Sequence, residues 1–302
     1  MSHQNASVKS ILFALLANLG IAITKTVAAV ITGSGAMLAE AVHSYADCGN
    51  QGLLFLGLSA SKKVPDQLHP LGHGKEIYFW SFIVALILFS MGGMFSIYEG
   101  IHKLSTHEGL KIPVIAVVVL SVSMILEAAS LYGCLTQINK LRHNVSLWAW
   151  VKNTRNSELV VVLGEDIAAL LGLFFALISV VLSIVTRNPV FDAIGSIGIG
   201  VLLILVSLFL GIKVKSLLIG QSSDDETRKS IIKVLEARPE VDRILNLITL
   251  QFGSQIMVAV KAKIIEVDSA DMLIDIINSC ESELKKANPA IKWVFFEPDY
   301  KD

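Results

Sequence analysis

Six long stretches of this 302-residue chain contain almost no ionised side chain, and that restricts the folds open to it. A helix needs about 20 mostly apolar residues to cross the hydrocarbon core of a bilayer. Segments at roughly Val8–Thr32, Gly35–Ala60, Glu76–Leu104, Pro113–Leu135, Leu159–Val185 and Pro189–Leu218 meet that requirement. Only 17% of the residues are charged, where a soluble domain carries about 25%. The pattern predicts an all-α, six-helix transmembrane bundle over residues 1–220. Pro113 and Pro189 stand at expected helix starts, where a missing N–H has no intrahelical partner to lose. Ser34-Gly35 leaves room only for a very tight turn between the first two spans.

Lysine and arginine near the span ends set the orientation. One set of loops carries Lys62, Lys63, Lys75, Lys140, Arg142, Lys152 and Arg155, and the N-terminal segment on the same side adds Lys9. The opposite loops carry Lys103, Lys111 and Arg187. The first set is expected to be cytoplasmic, and an even number of spans puts both termini there. Trp148 and Trp150, in the long connection from Gln137 to Glu158, suggest a segment lying at the membrane interface. The net charge of -1 gives nothing for nucleic acid to bind. Cys48, Cys134 and Cys280 are odd in number and far apart, which excludes a disulfide framework or a CxxC site. The opening MSHQNASVKS has neither the basic start of a secretory signal nor the arginines of a transit peptide. A bacterial cytoplasmic membrane is therefore the expected location.

The tail, 221–302, reads as a small α/β domain. Ser222 or Ser223 is expected to cap a helix whose first turn holds Asp224, Asp225 and Glu226. Ile244–Phe252 is β-prone and Gly253-Ser254 can turn the chain. Ile256, Val258, Val260, Ala262 and Ile264 alternate with more polar neighbours, the mark of a half-buried strand. Met272, Leu273, Ile276, Ile277, Cys280 and Leu284 recur at helical spacing, and Trp293–Phe296 makes a last strand. The order α-β-β-α-β describes a ferredoxin-like sandwich.

Within the second stretch stand Glu40, His43, Asp47 and Asn50. At about 100° per residue they fall within about 80° of one another, on one face of a helix. A charge at mid-bilayer costs at least ~2.5–3.5 kcal/mol, so such a stripe needs a compensating interaction. His43 and Asp47 are four apart and can converge on one ion, and imidazole and carboxylate suit a divalent metal such as zinc. Glu165 and Asp166 of the fifth stretch are the complement, although neighbours point about 100° apart and cannot both face one ion equally. Asn18 and Lys25 share a face of the first stretch, and Glu127 stands in the fourth. Lys25 is suited to a structural ion pair with Glu40 or Glu127. A second group, Asp66, His69 and His73, lies in the loop VPDQLHPLGHGKE and could hold zinc on the basic side.

At these residues the chain resembles the cation diffusion facilitator family over nearly its whole length. The resemblance rests on AEAVHSYAD in the second span, D-x-x-HPLGHGKE after it, the acidic pair in the fifth and the α-β-β-α-β tail. CGNQGLL, VVLGEDIAALLG and NPVFDAIGSIGIG resemble the zinc-transporter-nine branch. The resemblance implies a homodimer that exchanges a divalent metal, usually zinc, for protons by alternating access, and exports it from the cytoplasm. It implies that His43, Asp47 and Asp166 are metal ligands, and that Asp66, His69 and His73 match a loop site. The remaining fifth-span ligand would fall on Val162, which has no donor atom; Glu165, Asn50 or water is left to fill the gap. Manganese, cobalt, nickel and iron suit the same donors. No histidine follows Gln221, and Glu297 and Asp299 alone make a poor zinc site, so the tail is expected to dimerise by packing.

Competing readings are weaker. No HExxH occurs, which speaks against an intramembrane metalloenzyme. A non-transporting scaffold or metal sensor acting through the tail stays open because of Val162. A passive channel fits poorly with a pair of residues suited to hold an ion tightly.

Overall fold

Buried residues at helical spacing recur through most of the chain, and a computed structural model describes residues 18–106, 112–142 and 145–301. The first part of the expected first span, 8–17, and the basic residues Lys9 and Lys111 lie outside the described residues. Two compact units emerge. One lies within Met1–Gly57, Phe79–Asn144 and Glu158–Val214, the other within Leu58–Tyr78, Val145–Ser157 and Lys215–Asp302.

The first unit is helical. Among the described residues, four stretches are long and apolar enough to cross a membrane: Glu76–Thr106, Val114–Leu141, Ser157–Thr186 and Val190–Glu236. Helix α1, Asn18–Thr32, is apolar and shorter as described. Helix α2, Gly35–Ala60, has the length but carries the polar stripe. Gly33, at φ +67°, makes the break between α1 and α2 in a left-handed conformation that glycine adopts without strain.

The third span contains an element that its sequence does not announce. Helix α3, Glu76–Ile87, passes into a π-helical turn at Leu88–Met94 and then into α4, Phe95–Thr106. Helix α5 is Pro113–Leu141, past its expected end at Leu135, and α7 and α8 are Ser157–Thr186 and Val190–Gly220. The third span and α8 meet through small residues. A Cβ on Gly100 would lie 2.7 Å from the Ala193 carbonyl oxygen, and one on Gly200 would lie 2.6 Å from that of Gly93. Glycine at these positions lets two backbones approach, as is common where helices pack in lipid. At the start of α2, Asp192 accepts from Ser34 Oγ at 2.5 Å and from the Gly35 N–H at 2.7 Å. Lys103 donates to the Gly33 carbonyl. A buried helix start and a loop carbonyl thus find protein partners where water is scarce.

The second unit contains a short helix α6, Leu147–Asn153, capped by Ser146, with Trp150 buried and Trp148 exposed. Its sheet follows α9, Asp225–Glu236. Strand β1, Val241–Phe252, pairs antiparallel with β2, Gln255–Ile264, and β3, Ile291–Pro298, pairs parallel with β2. Helix α10, Ala270–Ala287, makes the crossover between the parallel strands. The element order is the expected α-β-β-α-β. Ile256, Val258, Val260, Ala262 and Ile264 are all buried, as the alternation requires. They pack with Ile231 and Leu235 of α9 and with Ile276, Cys280 and Leu284 of α10.

The cap of α9 corrects one expectation. Asp224, not Ser222 or Ser223, is the N-cap, accepting from Thr227 N at 2.8 Å and Thr227 Oγ1 at 3.0 Å. The serine hydroxyls are held by Thr249 Oγ1 on β1, at 2.7 and 2.9 Å. Asp224 therefore moves from the expected first turn to the cap itself. Elsewhere in this unit Arg155 donates to the carbonyls of Ser222 and Ser223, and Lys75 to that of Leu218.

Candidate metal site

Helix α2 brings Glu40, His43 and Asn50 into the interior of the first unit, and Asp47 remains partly exposed. Glu40 is matched at one of its two oxygens, and Oε1 is buried without a hydrogen-bond partner. Lys25 Nζ lies 3.3 Å from Glu40 Oε2 and donates to Ser44 Oγ at 2.8 Å. Of the two partners expected for Lys25, the geometry selects Glu40 and leaves Glu127 without an ion pair among the described residues. His43 Nε2 lies 3.6 Å from Asp47 Oδ2, as the four-residue spacing allows.

The acidic pair on α7 diverges. Glu165 Oε1 accepts from Asn50 Nδ2 at 2.5 Å, whereas Asp166 Oδ1 accepts from Ser130 Oγ of α5 at 3.2 Å. A cavity of about 240 Å³ separates these groups; Asn18, Asp47, Glu127, Val162, Glu165 and Asp166 lie on its wall. Val162 presents only methyl groups to it. His43 is not on the wall and reaches it through Asp47. The set is thus gathered around one space without being drawn onto one point. Sequence reasoning left Glu127 open, as one of two partners for Lys25, and did not single out Ser130. Their spacing of three residues, which puts both on one face of α5, was the available signal.

The hydrogen-bond account around this cavity is incomplete. Both ring nitrogens of His43, Asp47 Oδ1, Asn50 Oδ1 and Asp166 Oδ2 are buried with no partner. These are five of the eight such side-chain atoms among the described residues. A buried polar atom left unpaired costs about 1–3 kcal/mol, so the concentration here calls for a ligand, and a cation suits these acceptors.

In the second unit, Asp66, His69 and His73 form the one group of three or more His, Cys, Asp or Glu among the described residues whose ligand atoms all lie within 4.8 Å of one another. Asp66 Oδ2 is 3.0 Å from His73 Nε2, and Asp66 Oδ1 is 3.2 Å from His69 Nδ1. Oδ1 also accepts from the N–H groups of Leu68 and His69, so an aspartate-centred turn shapes the loop. Gly72 follows at φ +74°, where a side chain would be strained. The His73 hydrogen bond, followed by the one from the His69 backbone, holds the Asp66 carboxyl down at about 2. In the tail, Glu297 and Asp299 both face Lys261, at 3.6 and 3.0 Å. The two carboxylates share this one lysine.

Residues 11–219 match the cation efflux transmembrane domain. The chain is similar to the "Proton-coupled zinc antiporter SLC30A9, mitochondrial" of Homo sapiens, 36% identical over 225 residues, covering 73% of this chain and 39% of that protein. It is similar to the "Metal tolerance protein C4" of Arabidopsis thaliana, 36% identical over 215 residues, covering 70% of this chain and 47% of that one. "Magnetosome protein MamB" of Paramagnetospirillum magneticum is 26% identical over 255 residues, covering 83% and 80% of the two chains. The chain spans less than half the length of the human and plant relatives. With membrane-type helices, ligand-type residues around an internal cavity and this match over most of its length, the chain is an integral membrane protein that belongs to the cation efflux, or cation diffusion facilitator, family, with a zinc-transporter-nine-like relationship.

Proposed function

We propose that this protein carries a divalent metal ion across the bilayer in exchange for protons. The cargo is received by His43, Asp47 and Asp166 from the cavity between α2, α5 and α7. The observation that carries this reading is the set of buried, unpartnered acceptors on His43, Asp47, Asn50 and Asp166. The human relative's name speaks of zinc and of proton coupling, and zinc is the first cargo to test. A metal ligand must be deprotonated, so cargo and protons compete for the same atoms. Export runs from the side of the basic loops, which is the cytoplasmic side on this reading. In the alternating cycle, one state loads metal from that side and the other releases it opposite and takes up protons.

Six spans complete the bundle when the first is taken as 8–32, and 221–302 acts as a ferredoxin-like dimerisation domain held by packing. The homodimer and the position of both termini on the basic side belong to the same reading. Asp66, His69 and His73 form a second, exposed metal site, supported by the convergence of their ligand atoms. The valine at position 162 keeps a second reading in play, a metal sensor that does not transport.

Transport in sealed vesicles separates these readings. Wild-type protein is expected to couple zinc entry to proton movement, and His43→Ala or Asp47→Ala to abolish the coupling. Zinc binding without any flux would favour the sensor. Coupled flux unchanged in both variants would overturn the site assignment.

A further inference from the structure

Helix α5 carries one carboxylate within its apolar length, and it stands at the middle. Glu127 is equidistant from the helix ends at Pro113 and Leu141, and the next charge on α5 is Lys140, at its end. Among the described residues Glu127 has no ion pair. It is half-buried and lies on the wall of the same cavity as Asp47, Asp166 and Val162. The residues on that wall include no lysine or arginine. Lys25, the cation that the sequence offered as a partner for Glu127, is committed to Glu40 and Ser44.

Two further observations point to a cation as the missing partner. His43 is almost completely buried and neither ring nitrogen has a hydrogen-bond partner, Asp47 Oδ2 standing 3.6 Å from Nε2. Asp166, on the cavity wall, is buried to about nine-tenths and its Oδ2 is unpaired. The donor count also matters. His43, Asp47 and Asp166 supply three ligands, one fewer than a closed four-coordinate site needs. Val162 cannot be the fourth, and Glu165 is bonded to Asn50.

We propose that Glu127 is a metal ligand of the transport cavity, taking from α5 the place that Val162 leaves without a donor on α7, and that it extends the cargo to oxygen-preferring divalent ions such as manganese(II). The inference rests on the reading of the cavity as the transport site. One imidazole with three carboxylates is a harder donor set than one with two imidazoles. Carboxylate oxygens suit manganese, whereas imidazole favours zinc. Glu127 thus sets which metals the cavity accepts as well as how tightly.

The test is metal binding to the purified full-length protein in detergent, with manganese(II) followed by electron paramagnetic resonance and zinc by calorimetry. Asp66→Ala/His69→Ala/His73→Ala is the background, so the loop does not contribute. Glu127→Gln, which keeps shape and removes charge, is expected to weaken manganese binding by at least about tenfold and zinc binding by less. Adding Val162→His to Glu127→Gln is expected to restore zinc binding but not manganese binding, a rescue that a packing role for Glu127 would not show. Unchanged manganese binding in Glu127→Gln, alongside losses in Asp47→Asn and Asp166→Asn, overturns the proposal and leaves the transport site standing. If Asp47→Asn and Asp166→Asn also bind metal like the background protein, the reading of the cavity fails as well. Absence of rescue by Val162→His, in a variant that elutes and melts like the parent, assigns Glu127 to packing and overturns the proposal too.

Discussion

The ammonium of Lys25 in α1 and the carboxylate of Glu40 in α2 lie 3.3 Å apart, and both side chains are sealed from solvent. The contact neutralises the charge of Glu40 at Oε2, while its Oε1, on the same helix face as His43 and Asp47, stays buried without a hydrogen-bond partner. Breaking a buried pair by removing one partner strands the other charge and costs about 3–5 kcal/mol. Lys25→Met is therefore expected to lower the melting point of the detergent-solubilised protein sharply. Lys25→Met/Glu40→Gln should recover most of the loss. A single variant as stable as the parent would show that Glu40 has another partner.

Ser130 touches the site through Asp166, to which it donates at 3.2 Å. Residues that orient a metal ligand typically matter by about 10–100-fold in affinity. Ser130→Ala is expected to reduce zinc affinity in that range and leave the unfolding free energy within about 1 kcal/mol of the parent. Calorimetry on the purified variant measures the first quantity and thermal unfolding the second. Equal loss of folding and binding would mean the serine is structural.

The loop group makes a prediction in pH. Asp66 is held at about 2, against an ordinary 3.8, chiefly by the hydrogen bond with His73. A carboxyl lowered by folding favours the folded loop above its ordinary value, and that contribution disappears as pH falls through about 2. His73→Ala should bring Asp66 back towards 3.8, which moves its titration midpoint to higher pH and shrinks that contribution. The carboxyl carbon shift of labelled aspartate, followed through an acid titration, reports it directly. A midpoint that does not move on loss of His73 would mean that the backbone N–H groups alone hold the charge.

At α9, Asp224→Ala is expected to destabilise the tail by about 1 kcal/mol, the usual loss for an N-cap, and Ser222→Ala by less. Thermal melts of the two variants compare them. If Ser222→Ala is the more damaging, the serine and not the aspartate is the cap in solution.

The cap shows why part of the fold was legible from sequence and part was not. Strand β2 could be read because its period of two is written in neighbouring residues, Ile256 to Ile264. The start of α9 was misplaced by a residue or two because Thr249, on a strand that follows the helix, claims both serine hydroxyls. No local pattern signals that claim. The same distinction divides the candidate site. The stripe of Glu40, His43, Asp47 and Asn50 follows from helical spacing on one segment. Which member is neutralised, and which of Glu165 and Asp166 turns towards Asn50 or Ser130, depends on helices brought together from distant parts of the chain. Glu127 could be read from sequence only as one of two partners for Lys25, and the folded helices put it on the wall of the same cavity as Val162. The π-turn at Leu88–Met94 gave no signal at all, because LFSMGGM fits an ordinary apolar helix equally well.

The bonds from Ser34 and Gly35 to Asp192 fix the first residues of α2 against the first turn of α8. His43 and Asp47 lie about 12 and 18 Å further along α2 at 1.5 Å per residue. A helix held at one tip cannot slide lengthwise, so any displacement of these two residues must be a swing. The carboxylate of Asp192 then acts as a fulcrum, and a small tilt there becomes a larger movement at the ligands. Spin labels on α2 and α8 should record separations that change more beside Asp47 than beside Gly35 when metal is added, and Asp192→Ala should erase that gradient.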